Sequence, residues 1–503
     1  MRSQHALLTA AIAMAGCTAE DPMAEADLAD EPAEVGRRWI TIGADALDTV
    51  QAALANGATG AGVRPVEIGG GAALLEVDAR DLRLLSEAMH EHHRRCGGFV
   101  MHDGIEEGRA SLVASARSAV TAAAPAAFAP SYTLDSAATV NALMPALTEA
   151  GILSMIQQLS ANPTRFHNSA SGIAVSSWLR DRWAGYAVGR SDVQVTLFAH
   201  TETPQPSVIA TIPGTTRASE VIVIGGHLDS VSSTGAAPGA DDDASGIATL
   251  SEVLRVLIAK NYRPERTLKF IAYAAEEVGL VGSKAIAADA RAKGTNVVGV
   301  LQLDMTNYKG SPQDIYLITD FTNAAQNAFV GSLITTYVGA TYSTDVCGYG
   351  CSDHASWHRE GYPASMPAEA RFSDINPMIH TAGDTLGVSG NSAAHALKFA
   401  RLATAFAAEL GEGAVGGPQN AAPAVSISSP AANGTFPRAV QLAGTAIDPE
   451  DGTISDRLAW ASSVDGALGT GATRDVKLSA GVHTITATAQ DSGGATGTAS
   501  ASV

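Results

Sequence analysis

Residues 221–230 read VIVIGGHLDS, an apolar run that ends in two glycines, a histidine and an aspartate. A short, continuous run of β-branched residues bounded by glycine is typical of a strand buried on both faces. Apolar runs of this kind recur downstream, as in TLKFIAYAA at 267–275, and they alternate with helical patterns such as IATLSEVLRVLIA at 247–259. This alternation predicts an α/β fold, in which a mostly parallel twisted sheet carries helices on both faces.

The segment PGADDDASG at 238–246 places three consecutive aspartates between apolar segments. Neighbouring carboxylates repel one another, so such a run lies on a solvated face or beside a cation. In parallel α/β sheets, functional residues gather in loops at the carboxyl ends of the strands. In chain order, these loops supply His227, Asp229, the three consecutive aspartates Asp241, Asp242 and Asp243, then Glu276, Glu277, Asp304 and His380. Two imidazoles and several carboxylates suit a borderline-hard divalent cation, and zinc is the first candidate.

The composition is that of a globular protein with room for two to four domains. The chain has 503 residues, of which 46% are hydrophobic and 17% are charged. Its formal charge of −19 argues against nucleic acid or an anionic membrane as a partner.

The N-terminal stretch MRSQHALLTAAIAMAGC is typical of a signal peptide, because Arg2 precedes a short apolar run and small residues. That run is too short to span a bilayer, and no later segment is long and apolar enough to cross one. AMAGC also resembles a lipoprotein signal in which Cys17 is lipidated, although Met14 stands where leucine is usual. We therefore predict a signal peptide at 1–17 and a secreted protein, with a periplasmic or outer-membrane lipoprotein as the alternative.

The chain contains four cysteines, Cys17, Cys96, Cys347 and Cys351. Export would permit disulfides, and the segment CGYGC brings Cys347 and Cys351 close enough to close a small loop that glycine relieves. Cys96 then has no partner, and we interpret it as a buried free thiol.

Two changes of composition divide the chain. The Ala/Pro-rich stretch SARSAVTAAAPAAFAP at 115–130 is typical of a linker and precedes the α/β block. Beyond that block the apolar runs become short and alternating, and we predict an immunoglobulin-like β-sandwich at 416–503. The segment DPEDG at 448–452 is either a calcium-binding loop or a plain acidic turn, and we favour the turn.

Six motifs in the α/β block together resemble the secreted bacterial leucyl aminopeptidases of the marine-vibrio type, which are di-zinc exopeptidases. In chain order they are GGHLDS, APGADDDASG, AYAAEEVGLVGS, LQLDMTNYKG, CGYGCSDHASWH and NPMIHTAGDTL. The resemblance covers about 130–410 and extends weakly to HEHHRRCGGFVMH, which is similar to the inhibitory propeptide of that family. It implies a propeptide with its linker at 18–129 and a di-zinc peptidase domain at 130–415.

The resemblance implies a site for two zinc ions. Asp242 would bridge the ions, one of which would also take Glu277 and His380, and the other His227 and Asp304. The three ligand carboxylates would then face a total metal charge of +4, which explains why the aspartate run is tolerated between apolar segments. Without metal these carboxylates would repel, and some would have to take up protons.

Further roles follow from the same resemblance. Glu276 would be the general base, and Asp229 would hold the second ring nitrogen of a histidine ligand. Tyr349 would stabilise the oxyanion of the reaction. The family also has a cis peptide after the bridging aspartate, which here is the bond Asp242–Asp243.

The side-chain pocket implied by the resemblance is apolar. Its residues are Met305, Ile318, Tyr349, Met366, Phe372 and Ile379, joined by a Cys347–Cys351 disulfide. This sequence departs from the family at Ala368 and Ile375, where aromatic side chains are usual, so we expect a wider pocket. The expected substrate is a peptide or protein with an apolar N-terminal residue such as leucine, and the expected enzyme is a monomer.

Two alternatives compete with this hypothesis. A glutaminyl cyclase shares the fold with a single zinc ion, and a binding protein could combine an inactive peptidase core with an adhesive sandwich. The complete set of ligand residues favours the peptidase over both. His354 and His358 have the spacing of a helical metal pair, but the family does not use them and we interpret them as structural. HEHHRR at 90–95 lacks the second histidine of the metalloprotease helix motif.

Overall fold

The computed structural model describes residues 36–57, 63, 65–93, 98–102, 104–118, 132–232, 235–416 and 421–503. The predicted signal peptide with its Cys17, the thiol of Cys96 and most of the Ala/Pro-rich linker lie outside these residues. The described residues form an N-terminal unit, a central α/β unit and a C-terminal all-β unit.

The N-terminal unit is a four-stranded antiparallel sheet with three helices. Its strand order is β2-β3-β1-β4, and β3 and β1 pair along their whole lengths. Apolar side chains on these strands, such as Ile40 and Leu75, are completely buried together with Leu85 of a covering helix. The elements are β1 (Arg37–Gly43), α1 (Leu47–Ala55), β2 (Glu67–Gly69), β3 (Ala72–Asp78), α2 (Leu82–His93), β4 (Phe99–His102) and α3 (Ile105–Ser118).

The central unit contains a six-stranded sheet in the order β12-β9-β7-β8-β6-β5. The four strands from β12 to β8 are parallel, as the alternation of strands and helices predicts. The elements of the sheet are β5 (Gln194–Phe198), β6 (Ser207–Ile212), β7 (Arg217–His227), β8 (Arg266–Tyr273), β9 (Asn296–Gln302) and β12 (Ala364–Ser365).

One edge of this sheet differs from the predicted pattern, because β6 and β5 run antiparallel to their neighbours. The connection between these two strands, residues 199–206, is eight residues long. It is too short for the crossover of about a dozen or more residues that a parallel pair needs, so the two strands form an antiparallel hairpin. A second, three-stranded sheet contains β10 (Ile315–Ile318), β11 (Tyr342–Asp345) and β13 (Pro367–Ala368), in the order β11-β10-β13.

Helices cover the central sheet, and one of them positions the site. The helix α7 (Ala244–Ala259) is almost entirely buried, and its N-cap residue Asp243, which directly precedes it, accepts a hydrogen bond from the N–H of Gly246 at 2.9 Å. An acidic residue at a helix start satisfies free N–H groups and favours the helix dipole. The other helices are α4 (Ala137–Leu143), α5 (Glu149–Ser160), α6 (Ala170–Tyr186), α8 (Val281–Ala292), α9 (Ala324–Leu333), α10 (His354–Arg359) and α11 (Ala396–Gly411).

The C-terminal unit consists of two four-stranded antiparallel sheets around a shared core that contains Leu442, Trp460 and Ile485. Its immunoglobulin-like character stays a prediction. One sheet holds β14 (Ala424–Ser429), β15 (Ala439–Asp448), β16 (Gly452–Thr453) and β19 (Thr473–Lys477), and the other holds β17 (Ala459–Ser462), β18 (Gly466–Thr470), β20 (Thr484–Gln490) and β21 (Thr496–Ser502).

Among the described residues, no single helix is long and apolar enough to cross a membrane. The segments Ala137–Ala146 and Glu149–Ser160 would meet that requirement only as a pair, and they are bent by 61° at the break between them.

Candidate metal centre

The predicted ligands meet at the carboxyl ends of the parallel strands. His227 is the last residue of β7, Glu276 and Glu277 follow β8, and Asp304 follows β9. Since β8, β7 and β9 are parallel neighbours, their ends lie at the same edge of the sheet. Asp242 reaches this edge from the loop that precedes α7.

Two groups of donor atoms share Asp242. In the first group, Nε2 of His227 lies 3.0 Å from Oδ1 of Asp242 and 3.5 Å from Oδ1 of Asp304. In the second, Nε2 of His380 lies 3.3 Å from Oδ2 of Asp242 and 2.8 Å from Oε2 of Glu277. Each group has its donor atoms within 4.8 Å of one another, so each could hold one metal ion. Asp242 directs one oxygen into each group, as a bridging carboxylate would.

The donor atoms are buried and incompletely paired. All five ligand side chains are at most 3% exposed. Oε1 of Glu277 and Oδ2 of Asp304 accept no hydrogen bond from any residue that the structure describes. Burying carboxylate oxygens without partners is costly unless a cation is bound. Imidazole nitrogens combined with carboxylate oxygens match the ligand preference of zinc, so the residues present fit this metal.

The shifted pKa values of these side chains also indicate that the buried cluster has an excess of negative charge. Burial, together with the charge of Asp242, raises the pKa of Glu277 to about 7. Burial alone would lower the pKa of His380, but the charges of Glu277 and Asp242 outweigh it and raise this pKa to about 10. Burial also raises the pKa of Glu276 well above its ordinary value, and the nearby charge of Glu277 adds to the shift. A divalent cation would supply the positive charge that this cluster requires.

Glu276 lies beside the two groups but belongs to neither of them. Its side chain is 1% exposed, and its Oε2 accepts no hydrogen bond from the described residues. A buried carboxylate that lies next to a metal centre, and has an oxygen without a hydrogen-bond partner, can exchange protons with a bound water or substrate.

Asp229 connects two of the strand ends. Its Oδ1 lies 3.5 Å from Nδ1 of His227, a contact of the kind that the resemblance implies. Its two oxygens also accept the backbone N–H groups of Glu276 at 3.0 Å and of Glu277 at 3.1 Å. Asp229 therefore positions both glutamates as well as the histidine.

The other two members of the aspartate run have structural roles. Asp243, besides beginning α7, accepts the N–H of His227 at 3.0 Å and that of Met305 at 3.1 Å. Asp241 accepts the N–H of Asn307 at 3.2 Å. The peptide bond Asp242–Asp243 is cis, as the resemblance implies.

Sequence reasoning missed Asp384. Its carboxylate accepts the N–H groups of Asp241 and Asp242, each at 3.1 Å, and a side-chain N–H of Asn376 at 3.0 Å. Asp384 thus holds the backbone of the bridging aspartate. The motif NPMIHTAGDTL contains this residue, so the available signal was an acidic residue shortly after His380.

The predicted side-chain pocket forms two apolar clusters. Cys347 and Cys351 are joined by a disulfide, which confirms that pairing. Ala368 and Ile375, the two positions at which this sequence differs from the resembling family, are both buried. Each lies in a different one of the two clusters. The first cluster contains Ile318, Cys347, Tyr349, Cys351, Met366 and Ala368, with Phe372 packed against it, and the second contains Met305, Ile375 and Ile379.

The two histidines of DHASWH lie outside both donor groups. His354 is buried, and its Nε2 lies 3.3 Å from the carbonyl oxygen of Asp320. His358 packs edge-on against the ring of Phe321, with ring centroids 6.1 Å apart. Burial lowers the pKa of His354 to about 3, so this imidazole stays neutral.

The N-terminal unit packs against the loop that follows β8. Ala275, Val278 and Val281 share an apolar core cluster with residues of the N-terminal sheet. The N–H of Met101 donates to the carbonyl oxygen of Gly279 at 3.2 Å. The loop that carries Glu276 and Glu277 is therefore covered by the N-terminal unit.

Comparison with known proteins agrees with this architecture. The profile of peptidase family M28 matches residues 207–405. Leucine aminopeptidase 1 of Arthroderma otae is 36% identical over 289 residues, which are 54% of this chain and 76% of that protein. Leucine aminopeptidase 1 of Coccidioides posadasii (strain C735) is 38% identical over 265 residues, which are 49% of this chain and 67% of that protein.

Two solved structures are similar over a larger share of the chain. The LapA aminopeptidase of Legionella pneumophila is 28% identical with a TM-score of 0.63, and covers 75% of this chain and 99% of its own. LapB of the same organism is 27% identical with a TM-score of 0.64, and covers 75% of this chain and 100% of its own.

Fold, site and relatives define a metallopeptidase with an α/β sheet. The chain belongs to peptidase family M28. The chain is similar to leucine aminopeptidases. The motifs predict that it is of the marine-vibrio type, and this finer assignment stays a prediction.

Proposed function

We propose that this protein is a secreted, monomeric di-zinc aminopeptidase that removes apolar residues such as leucine from peptide and protein N-termini. The observation that carries the proposal is the position of Asp242, whose two oxygens each face a separate histidine–carboxylate group. Its family and the leucine aminopeptidases to which it is similar support the same activity.

The ligand assignment follows from the two donor groups. His227 and Asp304 would hold one zinc ion, Glu277 and His380 would hold the other, and Asp242 would bridge them. When bound, the zinc ions supply Lewis acidity, which polarises a carbonyl group and lowers the pKa of a water molecule.

Glu276 is the general base in this proposal. It takes a proton from the attacking water and later returns it to the amine that leaves. Its carboxylate is suited to this task because, among the described residues, one of its buried oxygens has no hydrogen-bond partner and the side chain belongs to neither donor group. Asp229 keeps Glu276 in place through the backbone N–H at 3.0 Å.

Apolar specificity is proposed from the two clusters that adjoin the site. None of their residues is charged, so burial of an apolar side chain would drive binding at roughly 25 cal/mol per Å². Acidic N-terminal residues should be poor substrates, because their carboxylate would be desolvated without a partner. The small Ala368 should leave space for bulky aromatic side chains.

The N-terminal unit is proposed to be an inhibitory or chaperoning propeptide that is removed on maturation. Its contacts with the loop that carries Glu276 and Glu277 support this role, since they would limit access to the site. Cleavage within the Ala/Pro-rich stretch at 121–130 would release it. If the full-length precursor and the trimmed form hydrolyse substrate equally well, the inhibitory role is wrong.

The deciding experiment measures zinc content and hydrolysis of a panel of aminoacyl chromogenic amides by the trimmed protein. Two zinc ions per chain and preference for leucine, methionine and phenylalanine support the proposal. A preference for glutamate or lysine overturns the specificity, and cyclisation of N-terminal glutamine without amide hydrolysis would indicate a glutaminyl cyclase instead. The mass of the secreted protein gives both of its ends and shows whether Cys17 carries a lipid.

A further inference from the structure

Arg165 lies in the loop before α6 and is completely buried. Its guanidinium group donates to three backbone carbonyl oxygens, from Nε to Leu228 at 2.9 Å, from Nη1 to Pro238 at 2.5 Å and from Nη2 to Gly239 at 2.9 Å. A planar group with several fixed N–H donors can hold separate acceptors in one geometry, which a lysine ammonium group cannot do.

These carbonyl groups belong to both ends of a single loop. Leu228 directly follows the ligand His227, whereas Gly239 lies just before the bridging residue Asp242. Arg165 therefore closes the loop that connects two ligands of the proposed centre. A Cβ atom at Gly239 would lie 2.3 Å from the carbonyl oxygen of Asp242 and 2.9 Å from Nη2 of Arg165, so this close packing of the loop depends on glycine.

The backbone of Arg165 makes further connections to the same region. Its N–H donates to Oγ of Ser230 at 3.0 Å, and that hydroxyl donates to the carbonyl oxygen of Ala237 at 2.7 Å. Its carbonyl oxygen accepts a side-chain N–H of Gln205 at 3.3 Å. Gln205 in turn accepts the N–H of Ala275, the residue before Glu276, at 3.3 Å.

Arg165 also brings positive charge into a strongly acidic region. Burial lowers the pKa of Arg165, while the surrounding carboxylates oppose this shift. The guanidinium group thus serves as a fixed counter-charge as well as a hydrogen-bond donor. The carboxylates concerned belong to Asp384, Asp243, Asp229 and Asp242.

We infer that Arg165 is a positioning residue that fixes His227 relative to Asp242 and thereby sets the zinc affinity of the centre. The inference rests on the proposed function, because it requires these residues to bind metal. Outer residues that orient metal ligands typically change metal affinity by about 10- to 100-fold when they are replaced. Arg165 acts through the backbone of the loop, because its guanidinium group donates to carbonyl oxygens of that loop.

The test compares Arg165→Lys with Arg190→Lys. Arg190 is also a buried arginine, at 5% exposed. Among the described residues, its guanidinium group donates to the carboxylate of Asp192 and, at 3.2 Å, to the carbonyl oxygen of Tyr262, and neither residue lies in a loop that carries a ligand. For each purified apoprotein, zinc affinity is measured by competition with a chelator, and the unfolding midpoint is measured without metal. We expect Arg165→Lys to bind zinc about 10- to 100-fold more weakly than the wild type, and Arg190→Lys to lose stability but to keep wild-type zinc affinity.

The possible results distinguish an incorrect role of Arg165 from an incorrect proposed function. If the wild-type protein binds no zinc, the proposed function fails. If the wild type binds two zinc ions and Arg165→Lys binds them equally well, or if both variants lose affinity equally, the inference is wrong. Should Arg165→Lys not fold, Ser230→Ala replaces it, because this variant removes only the hydroxyl between Arg165 and Ala237. A several-fold weaker zinc affinity of Ser230→Ala then supports the inference, and wild-type affinity overturns it.

Discussion

The carboxylate of Asp229 accepts the backbone N–H of Glu276 at 3.0 Å, so a residue that follows one strand fixes the loop that follows the next. The same carboxylate lies 3.5 Å from Nδ1 of His227. One side chain therefore determines where a metal ligand and the proposed general base lie relative to each other.

We predict that Asp229→Asn reduces zinc affinity about 10- to 100-fold, because an amide nitrogen would face N–H donors that now meet carboxylate oxygens. Zinc competition titration measures the effect. The control is Asp289→Asn on α8, whose carboxylate pairs, within the described part of the chain, with the surface residue Lys293. Equal zinc affinity for the two variants would exclude a positioning role of Asp229.

Glu276→Gln should keep two zinc ions and lose about 10²- to 10⁴-fold in kcat, since only the proton transfer is removed. Zinc content by mass spectrometry and hydrolysis of a leucyl amide are measured on the same sample. Glu202→Gln is the matched control, because Glu202 is exposed and, among the residues that the structure describes, pairs with Arg38 at 3.8 Å. Full activity in a zinc-replete Glu276→Gln protein would remove Glu276 from the mechanism.

Asp242→Ala should lose more zinc than Asp304→Ala. Asp242 contributes an oxygen to each donor group, whereas Asp304 contributes to one. The number of zinc ions that remain after dialysis against a fixed free zinc concentration provides the comparison. Equal losses from the two variants would contradict the bridge.

Ala368→Phe should narrow the side-chain pocket, because Ala368 lies in the apolar cluster with Tyr349 and Met366. We expect the ratio of kcat/KM for phenylalanyl over leucyl amides to fall by about tenfold, a size typical of steric discrimination in apolar pockets. Ala328→Phe on α9 is the control, since this position is exposed and belongs to neither apolar cluster. An unchanged ratio would show that Ala368 does not bound the substrate side chain.

The sequence pattern predicts the parts of the site that lie at strand ends. An apolar run followed by a polar residue predicts the end of a buried strand, and parallel neighbours place those ends together, so His227, Glu277 and Asp304 could be expected to meet. The position of Asp242 depended on the resemblance, because the three consecutive aspartates are locally equivalent. In the structure, the carboxylates of Asp241 and Asp243 accept hydrogen bonds from backbone N–H groups. The carboxylate of Asp242 instead directs its two oxygens to the two histidines.

Other parts could not be predicted, for identifiable reasons. Arg165 acts on backbone carbonyl oxygens, which every residue possesses, so its partners Leu228 and Gly239 leave no pattern in the sequence. The antiparallel edge formed by β5 and β6 depends on the length of a connection rather than on the residues of the strands. Asp384 lies within a recognised motif, but its role became visible only when its contacts with the backbone of Asp242 were known.

The two-sided position of Asp242 also has a consequence for the lifetime of the protein. Metal bound on both sides of this carboxylate would tie together the ends of three strands and the distant segment around His380, as a cross-link does. A ligand that binds only the folded chain stabilises it by about 2.7 kcal/mol when its free concentration is one hundred times its Kd. The zinc supply of the surroundings would therefore control how long the folded chain resists proteolysis, in addition to how fast it works.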